Sequence, residues 1–164
     1  MADFYSTLVE ASAYHLAHGN VLWTGTDELL NAAMLRGSEY IDRAYRSAFP
    51  GFKTLLREQL REWPRTDAVD MDGNYLPNDE VPVEVFDATY EAALRELLNP
   101  GSLEPDYNPG GQQKRVKVDV IEIEYTAPHG AVSSMPVINI IRGILEPVLT
   151  GSSNSSLAGK AERI

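Results

Sequence analysis

Three groups of residues have the types and spacing to do chemistry. Asp70, Asp72 and Gly73 share the alternation of a calcium loop, in which carboxylates at every second position aim at one cation and a glycine makes the sharp turn. The register fails. With Gly73 at the sixth position, Ala68 falls at the first ligand position and Asp79, not Glu, at the twelfth, so an ordinary acidic turn is the better reading. His15 and His18 stand three apart and can share a helical face, but His129, the remaining histidine, lies far along the chain. The chain has no cysteine and no His-Glu-x-x-His pattern to complete a metal site. Ser133 and Ser134, near His129, have no orienting carboxylate that would make a triad. Gly-x-Ser-x-Gly elbow, phosphate-cradling loop and dinucleotide fingerprint are all missing from the sequence. These readings imply no catalytic residue, no metal and no cofactor.

Binding chemistry is the other possibility. Tyr14, Trp23, Tyr40, Tyr45, Phe52 and Trp63 are candidate stacking platforms for a single strand, yet most fall at core spacing and none is interleaved with an excess of Lys and Arg. Lys114, Arg115 and Lys117 form the densest basic cluster, offset at once by Asp119, Glu122 and Glu124. The net charge of −10 has the wrong sign for gripping phosphate backbones, where affinity comes mostly from Lys and Arg displacing counterions. The 164 residues suit one domain, and 43% apolar content without a long apolar run predicts no membrane span. An N-terminus without a basic patch and apolar stretch, and the lack of cysteine, fit a cytosolic life.

The elements that would position these residues read as mainly α. Thr7 and Glu10 have capping-box spacing and predict a short helix through Ala11, Tyr14 and His15 to a stop at Gly19, with Trp23 packing inward from the connection. Thr26 caps a longer helix with Leu30, Ala33, Met34, Gly37, Tyr40, Ile41 and Ala44 on one stripe; Gly37 there predicts close approach by a helix or a ring such as Tyr40 or Trp23. A shorter helix from Thr54 to Glu62 offers Leu55, Leu56 and Leu60 as core before Pro64 ends it. After an acidic turn region, Pro82 starts a helix with Val85, Ala88, Thr89, Ala92, Ala93 and Leu97 inward. Residues 102–113 read as a mobile loop and 114–126 as a strand pair, Val116, Val118, Ile121, Ile123 and Tyr125 being its apolar positions. Pro136 opens a last helix, Pro147 closes it, and 151–164 has the composition of a flexible tail. The expected architecture is one domain over residues 1–150: a small bundle of four to five helices with a short hairpin before the last.

Taken in order, Ala13-Tyr14-His15-x-Ala17-x-Gly19-Asn20, Trp23, Ala32-Ala33-x-Leu35-Arg36-Gly37-x-Glu39-Tyr40-Ile41-Asp42, the run from Gln59 through Trp63-Pro64-Arg65, Val81-Pro82 and Ala92-Ala93-Leu94 resemble a family of tailed-phage and prophage proteins. That family is commonly labelled DnaT-like single-stranded-DNA-binding, and it is similar to head-tail connector adaptors. Trp23, Gly37, Tyr40, Trp63, Pro64, Arg65 and Pro82 carry its structural signature. Two departures stand out: Lys117-Val118-Asp119 replaces a Lys-Val-Gly turn, and the segment between Tyr45 and Gln59 lacks the basic, Gly-rich character of relatives.

The resemblance implies a non-enzymatic virion protein, a homo-oligomeric ring of about twelve copies under a portal protein, docking a stopper or tail protein below. It would reside at the head-tail interface, and in the host cytoplasm during assembly. Val116, Val118, Ile121, Ile123, Tyr125 and Leu157 become the expected protein interface. An acidic channel wall would let DNA slide through without specific binding. The alternative, following the family label, is a single-stranded-DNA-binding replication accessory, separable from the first by a salt titration.

Overall fold

The computed structural model describes residues 4–105 and 138–150, together with the backbone of two strands at 115–118 and 121–124. Four helices, α1 (Leu8–Ala17), α2 (Asp27–Tyr45), α3 (Val83–Leu98) and α4 (Asn139–Leu145), make a mainly helical fold, as the sequence pattern predicts. Two small antiparallel pairs accompany them: β1 (Phe52–Lys53) with β2 (Arg65–Thr66), and β3 (Arg115–Val118) with β4 (Ile121–Glu124). In the second pair Val116 faces Ile123 and Val118 faces Ile121, so the apolar positions of the expected hairpin are in register. Tyr125, Leu157, Pro136 and the whole 151–164 tail lie outside the described residues.

The helix starts follow from capping. The Thr7 hydroxyl accepts from the Glu10 N–H at 3.2 Å while the Glu10 carboxylate accepts from the Thr7 and Ser6 hydroxyls, so the first turn of α1 is closed by its own side chains. Gly19, at φ +67°, carries the chain away past the end of α1. Thr26 caps α2 in the same manner, and Pro82 occupies the cap position of α3, where its missing N–H costs nothing.

The core forms where α2 and α3 run along each other. Ala33, Met34, Tyr40 and Ile41 of α2 meet Val85, Ala88, Ala92 and Ala93 of α3, all buried. Gly37 is the point of closest approach: a Cβ there would stand 2.8 Å from the Ala93 nitrogen and 2.9 Å from the Thr89 oxygen. The space is filled by the backbone of α3, and not by Tyr40 or Trp23. Ile141 and Leu145 of α4 and Val148 close the bundle over α3. Residues 102–105, expected at the start of a loop, return to the bundle: Leu103 is buried and its N–H donates to Glu96. Among the described residues no helix is long and apolar enough to cross a membrane.

The segment between α2 and α3 departs from expectation. In place of a helix from Thr54 to Glu62 there is one 3-10 turn, Leu56–Glu58, and Leu55, Leu56 and Leu60 are exposed, not core. The apolar spacing that suggested a helix is instead the outer side of a hairpin-like loop.

A candidate nucleic-acid interface

The loop is built from the bottom by residues that bury. Trp63 is 2% exposed, edge-on to Phe49 at 5.5 Å, and its backbone N–H donates to the Tyr5 hydroxyl at 3.1 Å. The peptide bond from Trp63 to Pro64 is cis. Arg65 is buried behind it, donating to the carbonyls of Pro50 (2.6 Å) and Gly51 (2.7 Å), with its guanidinium over the Phe49 ring at 6.0 Å. Gly51 has φ +63°, and a Cβ at that position would fall 2.2 Å from the Thr66 oxygen, so only glycine lets the two arms of the loop meet here. Burial without partners would make these polar groups costly; the Trp63 backbone N–H and the Arg65 guanidinium are hydrogen-bonded, which fixes the arms in one geometry, while the Trp63 indole Nε1 has no partner among the described residues.

The tip is held by one side chain. Gln59 donates to the carbonyls of Arg61 and Pro64, both at 2.9 Å, and accepts from the Leu55 N–H at 3.1 Å. Leu56 adopts a positive φ of 51°, unusual for a branched residue, at the start of the 3-10 turn. Phe52, 61% exposed, lies in β1, which packs next to the 3-10 turn, and Leu55, Leu56 and Leu60 are exposed in the same loop.

The same segment concentrates cations. Between residues 43 and 65 the chain carries six Lys or Arg and two Glu, against a net charge of −10 for the whole. Arg61 pairs with Asp42 at 3.3 Å, and Arg46, Lys53 and Arg65 gather round Glu62. Burial holds the Asp42 carboxyl above the usual carboxylate range despite bonds from Tyr5, the Glu62 N–H and Arg61. Of the other described cations, Arg36 pairs with Glu96 and Arg95 with Glu91, Arg43 within the segment pairs with Glu39 and Glu104, and Arg142 on α4 is exposed without an ion pair among the described residues. Arg57 at the loop tip is exposed and makes no ion pair among the described residues. An exposed aromatic ring, exposed apolar residues and cations in one loop can stack a base and neutralise phosphate.

The other sequence candidates take structural places. His15 is buried, its ring 4.4 Å from that of Trp23; Asn20 donates to its Nδ1 at 3.1 Å, and its Nε2 has no partner among the described residues. Burial pushes its pKa down to about 4, so it is neutral at pH 7. His18 stacks on Tyr14 at 4.0 Å, with its Nδ1 2.9 Å from the Tyr14 carbonyl oxygen. Trp23 is half-buried, donating to Ser12, and Tyr40 packs edge-on to Tyr45. The Asp70 carboxylate accepts from the N–H groups of Asp72 and Asn74, which is an Asx turn and not a cation cage. Among the described residues no three His, Asp or Glu converge as metal ligands. Lys114 lies outside the described residues, while Arg115 and Lys117 lie opposite Glu124 and Glu122 across β3 and β4. Sequence reasoning missed Phe52, Lys53, Arg57 and Arg46 as a group because it judged charge over the whole chain; a windowed count of Lys and Arg would have found them.

A protein-family model described as "Putative DnaT-like ssDNA binding protein" matches residues 1–164. A search of curated proteins and a search of solved structures each found no match. The family match overturns the expected head-tail connector adaptor, with its dodecameric ring, portal and stopper partners and a channel that DNA crosses without being bound. Nothing in the comparisons supports a portal-binding virion protein. The net charge of −10 describes the whole chain, whereas six of its 14 Lys and Arg fall between residues 43 and 65. Over its full length the chain belongs to the DnaT-like ssDNA-binding family.

Proposed function

We propose that the protein binds single-stranded DNA, without catalysis, on the face formed by residues 46–60. The carrying observation is that Phe52, Leu55, Leu56 and Leu60 are all exposed in one loop, with Arg57 free of any acid partner among the described residues. The family description supports the same reading. Bases stack on an aromatic face whatever their sequence, while Arg57 and neighbouring cations take the phosphates. A duplex keeps its bases paired and offers Phe52 no free base to stack on.

Electrostatics limits the strength. A molecule with net charge −10 repels a polyanion at long range, so binding depends on the local cations and weakens as salt screens them. With one to three phosphate contacts, the logarithm of affinity should fall against the logarithm of salt with a slope of about −0.7 to −2. Fluorescence anisotropy with a labelled oligo-dT of about 20 nucleotides and a matching duplex tests this. Micromolar or tighter binding of the single strand, with weaker duplex binding, supports the reading; equal affinity for both, or none, overturns it.

A further inference from the structure

Glu62 stands where three cations meet. Its Oε1 lies 3.3 Å from Arg46 Nε and 4.0 Å from Lys53 Nζ, and its Oε2 lies 3.0 Å from Arg65 Nη1. The three cations differ in what else holds them. Arg65 is buried and also bonded to the Pro50 and Gly51 carbonyls, so it is part of the frame. Arg46, with its side chain 63% exposed, and Lys53, at 24%, have no other ion pair among the described residues. One carboxylate oxygen thus faces two cations that reach solvent, in the place that a phosphate oxygen would take.

The carboxylate is also the fixed party. The Glu62 N–H donates to Asp42 at 3.3 Å and the next N–H, of Trp63, donates to Tyr5, so the backbone under Glu62 is clamped to the bundle. Arg46 and Lys53 are flexible arms that can leave it. We propose that Glu62 sets the affinity of the 46–60 face for single-stranded DNA by competing with phosphate for Arg46 and Lys53. The proposal rests on the single-strand reading above. Each cation that moves from Glu62 to a phosphate exchanges one anionic partner for another, which gives little net attraction; with Glu62 neutral, the same move adds a full phosphate contact.

Glu62→Gln is the variant that tests it, because a glutamine oxygen still accepts from Arg65 while the anion facing Arg46 and Lys53 is gone. Oligo-dT affinity at about 50 mM salt should rise three- to tenfold, and the salt slope should steepen by about 1.4 for two recovered phosphate contacts. Wild-type binding that Glu62→Gln leaves unchanged or weakens, in a variant with wild-type circular dichroism, overturns this inference and leaves the single-strand reading standing. Absence of binding by both proteins overturns the reading and the inference together. Should Glu62→Gln fail to fold, the wild-type protein supplies the second measurement: the Arg46 Nε–H resonance in nitrogen-15 spectra should shift as oligo-dT saturates the protein. An Arg46 signal that stays in place at saturation, with other loop signals moving, also overturns the competition.

Discussion

The α2–α3 interface and the loop between them are both rich in leucine-sized apolar residues, yet one buries them and the other displays them. Along α2, Leu30, Ala33, Met34, Gly37 and Ile41 recur at helical spacing and every one is buried. In residues 52–60, Phe52, Leu55, Leu56 and Leu60 follow comparable spacing and every one is exposed. What separates them is the backbone underneath. Helix α2 satisfies its own N–H and C=O groups, so its apolar stripe needs only a partner, which α3 supplies at Gly37. The loop satisfies its backbone through Gln59, the buried Arg65 and the tight passage at Gly51, and these bonds leave its apolar side chains pointing outward. Periodicity reports a stripe; burial also depends on what lies opposite.

Substitutions can sharpen or break that contrast. The largest effect is expected at Met34, fully buried between α2 and α3, where Met34→Ala should cost about 2–5 kcal/mol in urea unfolding through lost contacts and a residual cavity. A cost under about 1 kcal/mol would mean that this interface is not the core described here.

Histidine 15 gives the helical region a pH dependence with a definite sign. Its folded pKa, about 4, lies below the ordinary value of 6.5, so the unfolded chain binds the proton first. Stability from this group is complete above about pH 6.5 and is lost as the pH falls toward about 4, by at most roughly 3 kcal/mol. Urea unfolding at pH 7 and pH 4.5 should show a smaller loss for His15→Gln than for the wild type. Equal losses would show that the imidazole is not the titrating group.

At Gly37, alanine gains about 1 kcal/mol of helix propensity but must push the α3 backbone aside, an overpacking cost of about 1–3 kcal/mol. A contact of 2.8 Å to the Ala93 nitrogen, which cannot rotate away, favours a net loss of about 1–2 kcal/mol for Gly37→Ala. A more stable variant would contradict the close approach. The smallest effect belongs to the loop: Leu56, 68% exposed, should tolerate Leu56→Ser within about 0.5 kcal/mol. A loss of several kcal/mol there would erase the distinction between the two regions.

Most of the helical framework was legible in the sequence because local chemistry dictates it. Thr7 with Glu10, Gly19, Thr26 and Pro82 are caps and stops whose effect does not depend on distant partners, and each ends or starts a helix where it should. Gly37 signalled a close approach, though only the fold reveals that α3 fills it. Trp63 was legible as an aromatic at core spacing, but the helix that Pro64 was expected to end is absent. The role of Trp63-Pro64-Arg65 as the floor of an exposed face was not legible, because that depends on bonds from Arg65 to Pro50 and Gly51 that span 15 and 14 residues, and from Trp63 to Tyr5 that span 58. The leucines of the loop were misread for the same reason. The candidate site was illegible in net charge, where 24 acidic residues hide six cations placed within one short segment.

Phe52→Ala combined with Arg57→Gln tests whether residues 46–60 bind single strands. Oligo-dT binding followed by anisotropy should weaken by about 2–4 kcal/mol, from a lost stacked base and a lost phosphate contact, while the melting temperature stays within a few degrees of wild type. Binding that survives the double substitution at wild-type affinity would contradict the account.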